Sequence, residues 1–210
     1  MKKTRAIILI SGNGTNLLNI LENVKSGFIY MDVFMVISNN PKAKGLNIAE
    51  NHNITNLVID TNKRFDDVLS EIVDMNDIGL LILAGFMKIL PKTITDKYDG
   101  KIINIHPSLL PKYKGLETHK KVIEAKDKFH GASVHYVTSE LDDGPVIIQG
   151  KYKIDQYDEE VIKKNIHAIE YEILPIAIKW FLEGNIVKLG NKFSFNGETL
   201  ECPIEHILKN

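Results

Sequence analysis

Five short runs rich in Ile, Val and Leu, at residues 5–11, 32–38, 55–60, 79–84 and 101–105, constrain the fold of this chain more than any other feature. Apolar runs of this length without polar alternation fit strands buried on both faces, the usual state of parallel strands covered by crossover helices. Stretches of helical periodicity near 15–26, 44–53 and 64–75 separate the first four. The expected fold class is therefore α/β: an open, mostly parallel sheet, wound right-handed with helices on both faces. After residue 130 the pattern changes. Apolar stretches at 131–138 and 145–154 flank a polar segment with Asp142, Asp143 and Gly144, which predicts a hairpin and a mixed sheet towards the C-terminal half. A helical pattern over 158–183 contains Pro175, an expected kink, and the tail at 186–200 reads as short strands turning at Gly190 and Gly197. No repeat, low-complexity tract or linker divides the sequence, so a single domain over 1–210 is expected, with halves at about 1–100 and 101–210.

Charge and cysteine content exclude several function classes. The 26 basic and 27 acidic residues nearly cancel, which leaves no field to attract nucleic acid or an anionic membrane. Cys202 is the only cysteine, so neither an intrachain disulfide nor a cysteine zinc cage can form, and a reducing, cytoplasmic location is expected. The apolar run at 6–10 is too short for a signal-peptide core or a membrane span. The seven histidines are scattered and never form a His-Glu-X-X-His helix, so no metal is expected.

The first strand runs into Ser11-Gly12-Asn13-Gly14-Thr15-Asn16, followed by a helical pattern from Leu17. Backbone N–H groups at such a turn and helix start favour an anion, and glycine lets a phosphate approach the main chain. A dinucleotide site would need a small residue where Leu17 stands and an acidic residue where the second strand ends in Ser38-Asn39-Asn40. A single phosphate fits better. A plain glycine turn capped through Asn13 or Thr15 is the competing structural reading.

The strongest constellation is Asn104-Ile105-His106-Pro107-Ser108-Leu109-Leu110-Pro111, where the fifth strand leaves the sheet. Strand alternation points Asn104 and His106 the same way, towards the strand end at which open α/β sheets bind ligands. The segment through Gly115 to His119 reads as a mobile loop over that crevice. Glu140-Leu141-Asp142-Asp143-Gly144-Pro145 adds a carboxylate on a tight connection. A strand-end histidine is often a structural residue, and an Asp-rich connection often only a turn. Together, however, an amide, an imidazole and a carboxylate suit acyl transfer to a nucleophile that the substrate supplies. Asn104 and protonated His106 would donate hydrogen bonds to the developing oxyanion, and Asp142 would assist proton movement. Ser108 lacks the Gly-X-Ser-X-Gly setting of a nucleophile. Phe86, Trp180 and Phe181 read as packing residues, and His130 and His135 as structural or supporting ones.

At these residues the sequence resembles the folate-dependent formyltransferases that act on glycinamide ribonucleotide. The resemblance rests on I-S-G-N-G-T-N, L-A-G-F-M-K-I-L, N-I-H-P-S-L-L-P-K-Y-K-G, H-G-A-S-V-H-Y-V and E-L-D-D-G-P-V-I, in this order and spacing, and covers most of residues 7–181. It implies a Rossmann-like formyltransferase fold, 10-formyltetrahydrofolate as co-substrate and glycinamide ribonucleotide as acceptor; a monomer or weak homodimer is expected. It also implies that Asn104, His106 and Asp142 form the catalytic set. Gly14, Thr15 and Asn16 would hold the phosphate-bearing end of the ribonucleotide, which makes the N-terminal half the phosphate-binding one, and Glu170 would contact the ribonucleotide from the folate-binding and catalytic C-terminal half. Folate would lie against Met87, Lys88, Ile89 and Leu90, against Asn104, and along Thr138, Ser139, Glu140, Leu141 and Asp142, with a basic contact to its tail near Lys63 or Arg64. Two departures stand out: Lys88 replaces a common arginine and loses its planar fork, and Asp143 replaces a common small residue. A hydrolase of the same architecture and a formyltransferase for methionyl-tRNA are related alternatives, and both usually need an additional domain. A non-catalytic folate-binding module is the alternative of a different class.

Overall fold

The computed structural model describes residues 2–59 and 65–207, and the chain divides into two compact units after Asn104. The first unit contains β1 (Thr4–Ile10), α1 (Thr15–Lys25), β2 (Met31–Ser38), α2 (Gly45–Asn51), β3 (Asn56–Val58), α3 (Phe65–Met75), β4 (Ile78–Leu83) and α4 (Lys92–Lys97), and ends within β5 (Ile102–His106). Its strands pair in parallel in the order β3-β2-β1-β4-β5. β1 is central, and its residues from Ala6 to Ile10 are fully buried, as a run without polar alternation requires. α1 buries Leu17, Ile20 and Leu21, spaced three and four apart, and leaves Leu18 exposed.

The second unit continues with α5 (Thr118–Ala125), β6 (Phe129–Tyr136), β7 (Val146–Lys153), α6 (Glu159–Leu182), β8 (Ile186–Leu189), β9 (Lys192–Phe195), β10 (Glu198–Leu200) and β11 (Ile204–His206). β6 and β7 are antiparallel, closed by Tyr136 N–H donating to the Pro145 carbonyl at 3.0 Å, while β11 joins β7 in parallel. The sheet is thus mostly parallel and mixed in its C-terminal part. β8, β9 and β10 form a separate antiparallel sheet that turns at Gly190 and Gly197, both with positive φ. Asp158 caps α6 by accepting hydrogen bonds from Glu160 N–H at 3.0 Å and Val161 N–H at 2.9 Å, and the helix runs for 24 residues with Pro175 inside it. It packs against β6 and β7, and a Cβ at Gly150 would meet Ile169 Cγ2 at 2.5 Å, so only glycine allows that approach.

Three elements go beyond the sequence expectation. α4 has six residues, too few to show a period. α5 replaces part of the expected mobile loop; its sequence THKKVIEA buries only Thr118 and Val122, so its apolar signal is faint. β11 is a three-residue strand whose partner lies more than fifty positions earlier.

Candidate active site

The glycine turn after β1 is held by backbone geometry. Gly14 has φ +77°, and a Cβ there would stand 2.5 Å from Gly45 Cα, while Gly45 N–H donates to the Gly12 carbonyl at 3.1 Å. The N-cap position of α1 falls on Gly14, which has no side chain to cap with, rather than on Asn13 or Thr15. Thr15 and Asn16 begin the helix, where N–H groups and the helix dipole favour an anion.

Ser11 joins this turn to two neighbouring loops, a role the sequence reading missed. Its hydroxyl donates to Asn39 Oδ1 at 2.6 Å and accepts from Met87 N–H at 2.8 Å. Its N–H donates to the Gly85 carbonyl at 3.1 Å, and its carbonyl accepts from Asn40 Nδ2 at 3.0 Å. The polar run Ser38-Asn39-Asn40 at a buried strand end was the available signal. In the 87–90 segment Met87 is 71% and Ile89 58% exposed, whereas Leu90 is buried. Lys88 Nζ lies 4.7 Å from the centroid of the Phe65 ring, which stacks on Phe86. Phe86 is thus a packing residue, as is Trp180, whose ring meets that of Phe195 edge-on. Lys63 and Arg64 lie outside the described residues.

His106 ends β5, two residues after the half-buried Asn104, and organises a cluster within the second unit. Its Nε2 donates to the Tyr113 carbonyl at 2.9 Å, and its Nδ1 faces Asp142 Oδ2 at 3.4 Å. Asp142 Oδ2 also accepts from Gly115 N–H at 2.8 Å, and Asp142 Oδ1 lies 3.6 Å from His135 Nε2. His135 Nδ1 in turn donates to the Tyr136 carbonyl at 2.8 Å. Each imidazole has one nitrogen committed to a carbonyl and turns the other to the same carboxylate.

The electrostatics follow from this geometry. Burial alone raises the Asp142 carboxyl, but the adjacent His135 imidazole, the Gly115 N–H hydrogen bond and the nearby His106 outweigh it and hold the pKa at about 2. Burial pushes His106 below the ordinary imidazole value, against the opposing pull of the Tyr113 carbonyl and Asp142. Asp142 and Tyr113 both have left-handed backbones, with φ of 49° and 55°. Aspartate tolerates that region, whereas a bulky tyrosine there is an outlier of the kind found where surrounding contacts dictate the conformation.

The loop before α5 is pinned from below by Ser133, whose hydroxyl donates to the Ser108 carbonyl at 2.6 Å and accepts from Leu110 N–H at 3.1 Å and Gln149 Nε2 at 2.9 Å. Of the other expected contact residues, Thr138 and Ser139 are half-buried, Glu140 and Leu141 are exposed on the β6–β7 connection, and Glu170 is buried in α6. The sequence reading gave His135 a supporting role; its contact with Asp142 follows from β6 alternation, which puts Ser133 and His135 on one face. Among the described residues no group of side chains could hold a metal ion, and no helix is long and apolar enough to cross a membrane.

This fold, with an imidazole–carboxylate cluster buried at a strand end, places the chain among α/β enzymes. It belongs to the formyl transferase family, whose model matches residues 4–178. A phosphoribosylglycinamide formyltransferase of Haemophilus influenzae is 40% identical over 199 residues, covering 92% of this chain and 94% of the relative. The structure of a phosphoribosylglycinamide formyltransferase of Coxiella burnetii superposes with a TM-score of 0.90 at 37% identity, over 97% of this chain and 100% of that one. A formyltetrahydrofolate deformylase of Pseudomonas syringae pv. tomato superposes with a TM-score of 0.85 at 28% identity, over 92% of this chain and 66% of its own.

Proposed function

We propose that this chain transfers the formyl group of 10-formyltetrahydrofolate to the amine of N1-(5-phosphoribosyl)glycinamide. The products are the formylglycinamide ribonucleotide and tetrahydrofolate, and the step belongs to de novo purine (IMP) synthesis in the cytoplasm. The observation that carries this reading is the buried Asp142 carboxylate, held ionised between His106 and His135 at the end of β5. The substrate amine attacks the formyl carbon, the carbonyl oxygen becomes negative, and the bond to folate N10 breaks as N10 gains a proton. Asn104 and protonated His106 donate to that oxygen; the 3.4 Å His106–Asp142 contact is long enough to be exchanged for a substrate oxygen. Asp142 stabilises the imidazolium and relays the proton lost by the amine.

The helix start at Gly14, Thr15 and Asn16 binds the phosphate-bearing end, and Glu170 contacts the ribonucleotide. Exposed Met87 and Ile89 offer apolar surface to the folate ring system, with Lys88, Leu90 and the segment from Thr138 to Asp142 completing its contacts. Lys63 is assigned to the folate tail on resemblance alone. The working unit is a monomer or weak homodimer without a metal. The likeness to a deformylase makes water the rival acceptor. Purified protein is mixed with 10-formyltetrahydrofolate, with and without the ribonucleotide, and deformylated folate and formylated amine are followed together. Turnover only with the amine supports the transferase; deformylation without it refutes the proposal in favour of the hydrolase, and no turnover in either mixture favours a binding module.

A further inference from the structure

We propose that Lys114 and Asp143 form a positioning pair that clamps the backbone from Tyr113 to Gly115 onto His106 and Asp142. The inference rests on the formyl-transfer reading of that site. Three consecutive residues reach the cluster or its sequence neighbour Asp143. The Tyr113 carbonyl accepts from His106, the Lys114 ammonium pairs with Asp143, and Gly115 N–H donates to Asp142. The partners on the other side, Asp142 and Asp143, are also consecutive, so the ion pair joins the two loops one residue away from the hydrogen bond that aims the Asp142 carboxylate.

The clamped backbone has reason to relax if released. Tyr113 is held at φ 55°, a left-handed conformation that a bulky side chain resists, whereas Gly115 at 78° and Asp142 at 49° adopt it readily. Tyr113 is tied outward by its hydroxyl, which donates to Asp127 Oδ2 at 2.9 Å, and by Lys112, 3.2 Å from the same carboxylate. These contacts hold one side of the turn. On the other side the Lys114 carbonyl accepts a long 3.4 Å bond from Lys121 Nζ. Lys114–Asp143 is therefore a charged side-chain tie from the turn to the Asp142 loop, beside the Gly115–Asp142 hydrogen bond. It also neutralises a carboxylate adjacent in sequence to Asp142, which otherwise would add like charge beside the cluster. With side chains 35% and 55% exposed, the pair is open to solvent and its hold weakens as salt rises.

The test compares Lys114→Gln, Asp143→Asn, the double variant and the charge-reversed Lys114→Glu/Asp143→Lys with the wild type. The first readout is kcat/KM at ionic strengths of about 0.01 M and 1 M, where charges act over roughly 30 Å and 3 Å. The second, which does not depend on turnover, is hydrogen exchange of the Gly115 amide. At low salt each single variant is expected to lose about 2- to 5-fold in kcat/KM, the range for a partly exposed pair. The double variant should be no worse than either single one, the reversed pair should recover to within about twofold, and high salt should erase the differences. Gly115 exchange should quicken in the single variants and slow again in the reversed pair. Equal exchange and kcat/KM throughout, additive losses in the double variant, or no recovery on reversal overturns the clamp. A wild type without transferase activity would refute the functional reading instead, and Gly115 exchange would still decide whether the pair holds the turn.

Discussion

Lowering the pH should destabilise the folded chain through His130, by an amount the structure allows to be worked out. His130 is 1% exposed on β6, and its Nε2 lies 3.1 Å from His119 Nδ1 on α5, so one imidazole must donate to the other. Burial, followed by repulsion from His119, pushes the His130 pKa to about 4, although Asp127 pulls the other way. The folded pKa lies below the unfolded value of about 6.5, so between the two the unfolded chain binds the additional proton and stability falls as pH falls. The contribution is intact above about pH 6.5, costs about 2 kcal/mol at pH 5 and about 3 kcal/mol at pH 4, and levels off below that. His119, also lowered by burial, acts in the same direction. Urea unfolding of the wild type and of His130→Gln at about pH 7.5 and pH 5 measures this directly. The wild type should lose about 2 kcal/mol more than the variant between the two conditions. Parallel pH dependences for the two proteins would refute the assignment of a neutral buried imidazole.

The remaining predictions concern the site and its supports. Asp142→Asn and His106→Ala should each lower kcat at least about a hundredfold without loss of folded circular dichroism, because each removes charge stabilisation at the reacting centre; near-normal rates would reject the roles given to them. Gly14→Ala should cost about 2 kcal/mol or more, since it adds a Cβ 2.5 Å from Gly45 Cα in a left-handed backbone; an unchanged melting temperature would contradict the close approach of α1 and α2. Tyr136→Phe should leave stability unchanged or raise it by up to about 1 kcal/mol, because the buried hydroxyl finds no hydrogen-bond partner among the described residues; a clear loss on denaturant unfolding would reveal a hidden one.

What could be read from the sequence depended on the range of the interaction that fixes each feature. The 6–10 run announced a strand covered on both faces because every residue in it is apolar, and Asp142-Asp143-Gly144 announced the β6–β7 connection because turn chemistry is local. β11 could not be foreseen, since the partners of residues 204–206 lie at 148–150. The site divides along the same line. His106 and Asp142 were marked by their neighbours, but the groups that aim them were not, because these are a backbone carbonyl at Tyr113 and a backbone N–H at Gly115. Every residue carries such groups, so no residue type advertises them. Ser11 and Ser133 were passed over for a related reason: a serine reads as neutral until its two or three partners converge from separate segments of the chain. The residue types that do chemistry are thus legible at a distance, while the precision of the chemistry resides in main-chain positions that only packing determines. Substitutions at Lys114 and Asp143 test that division, because they leave every proposed reacting group in place and alter only how the backbone beside it is held.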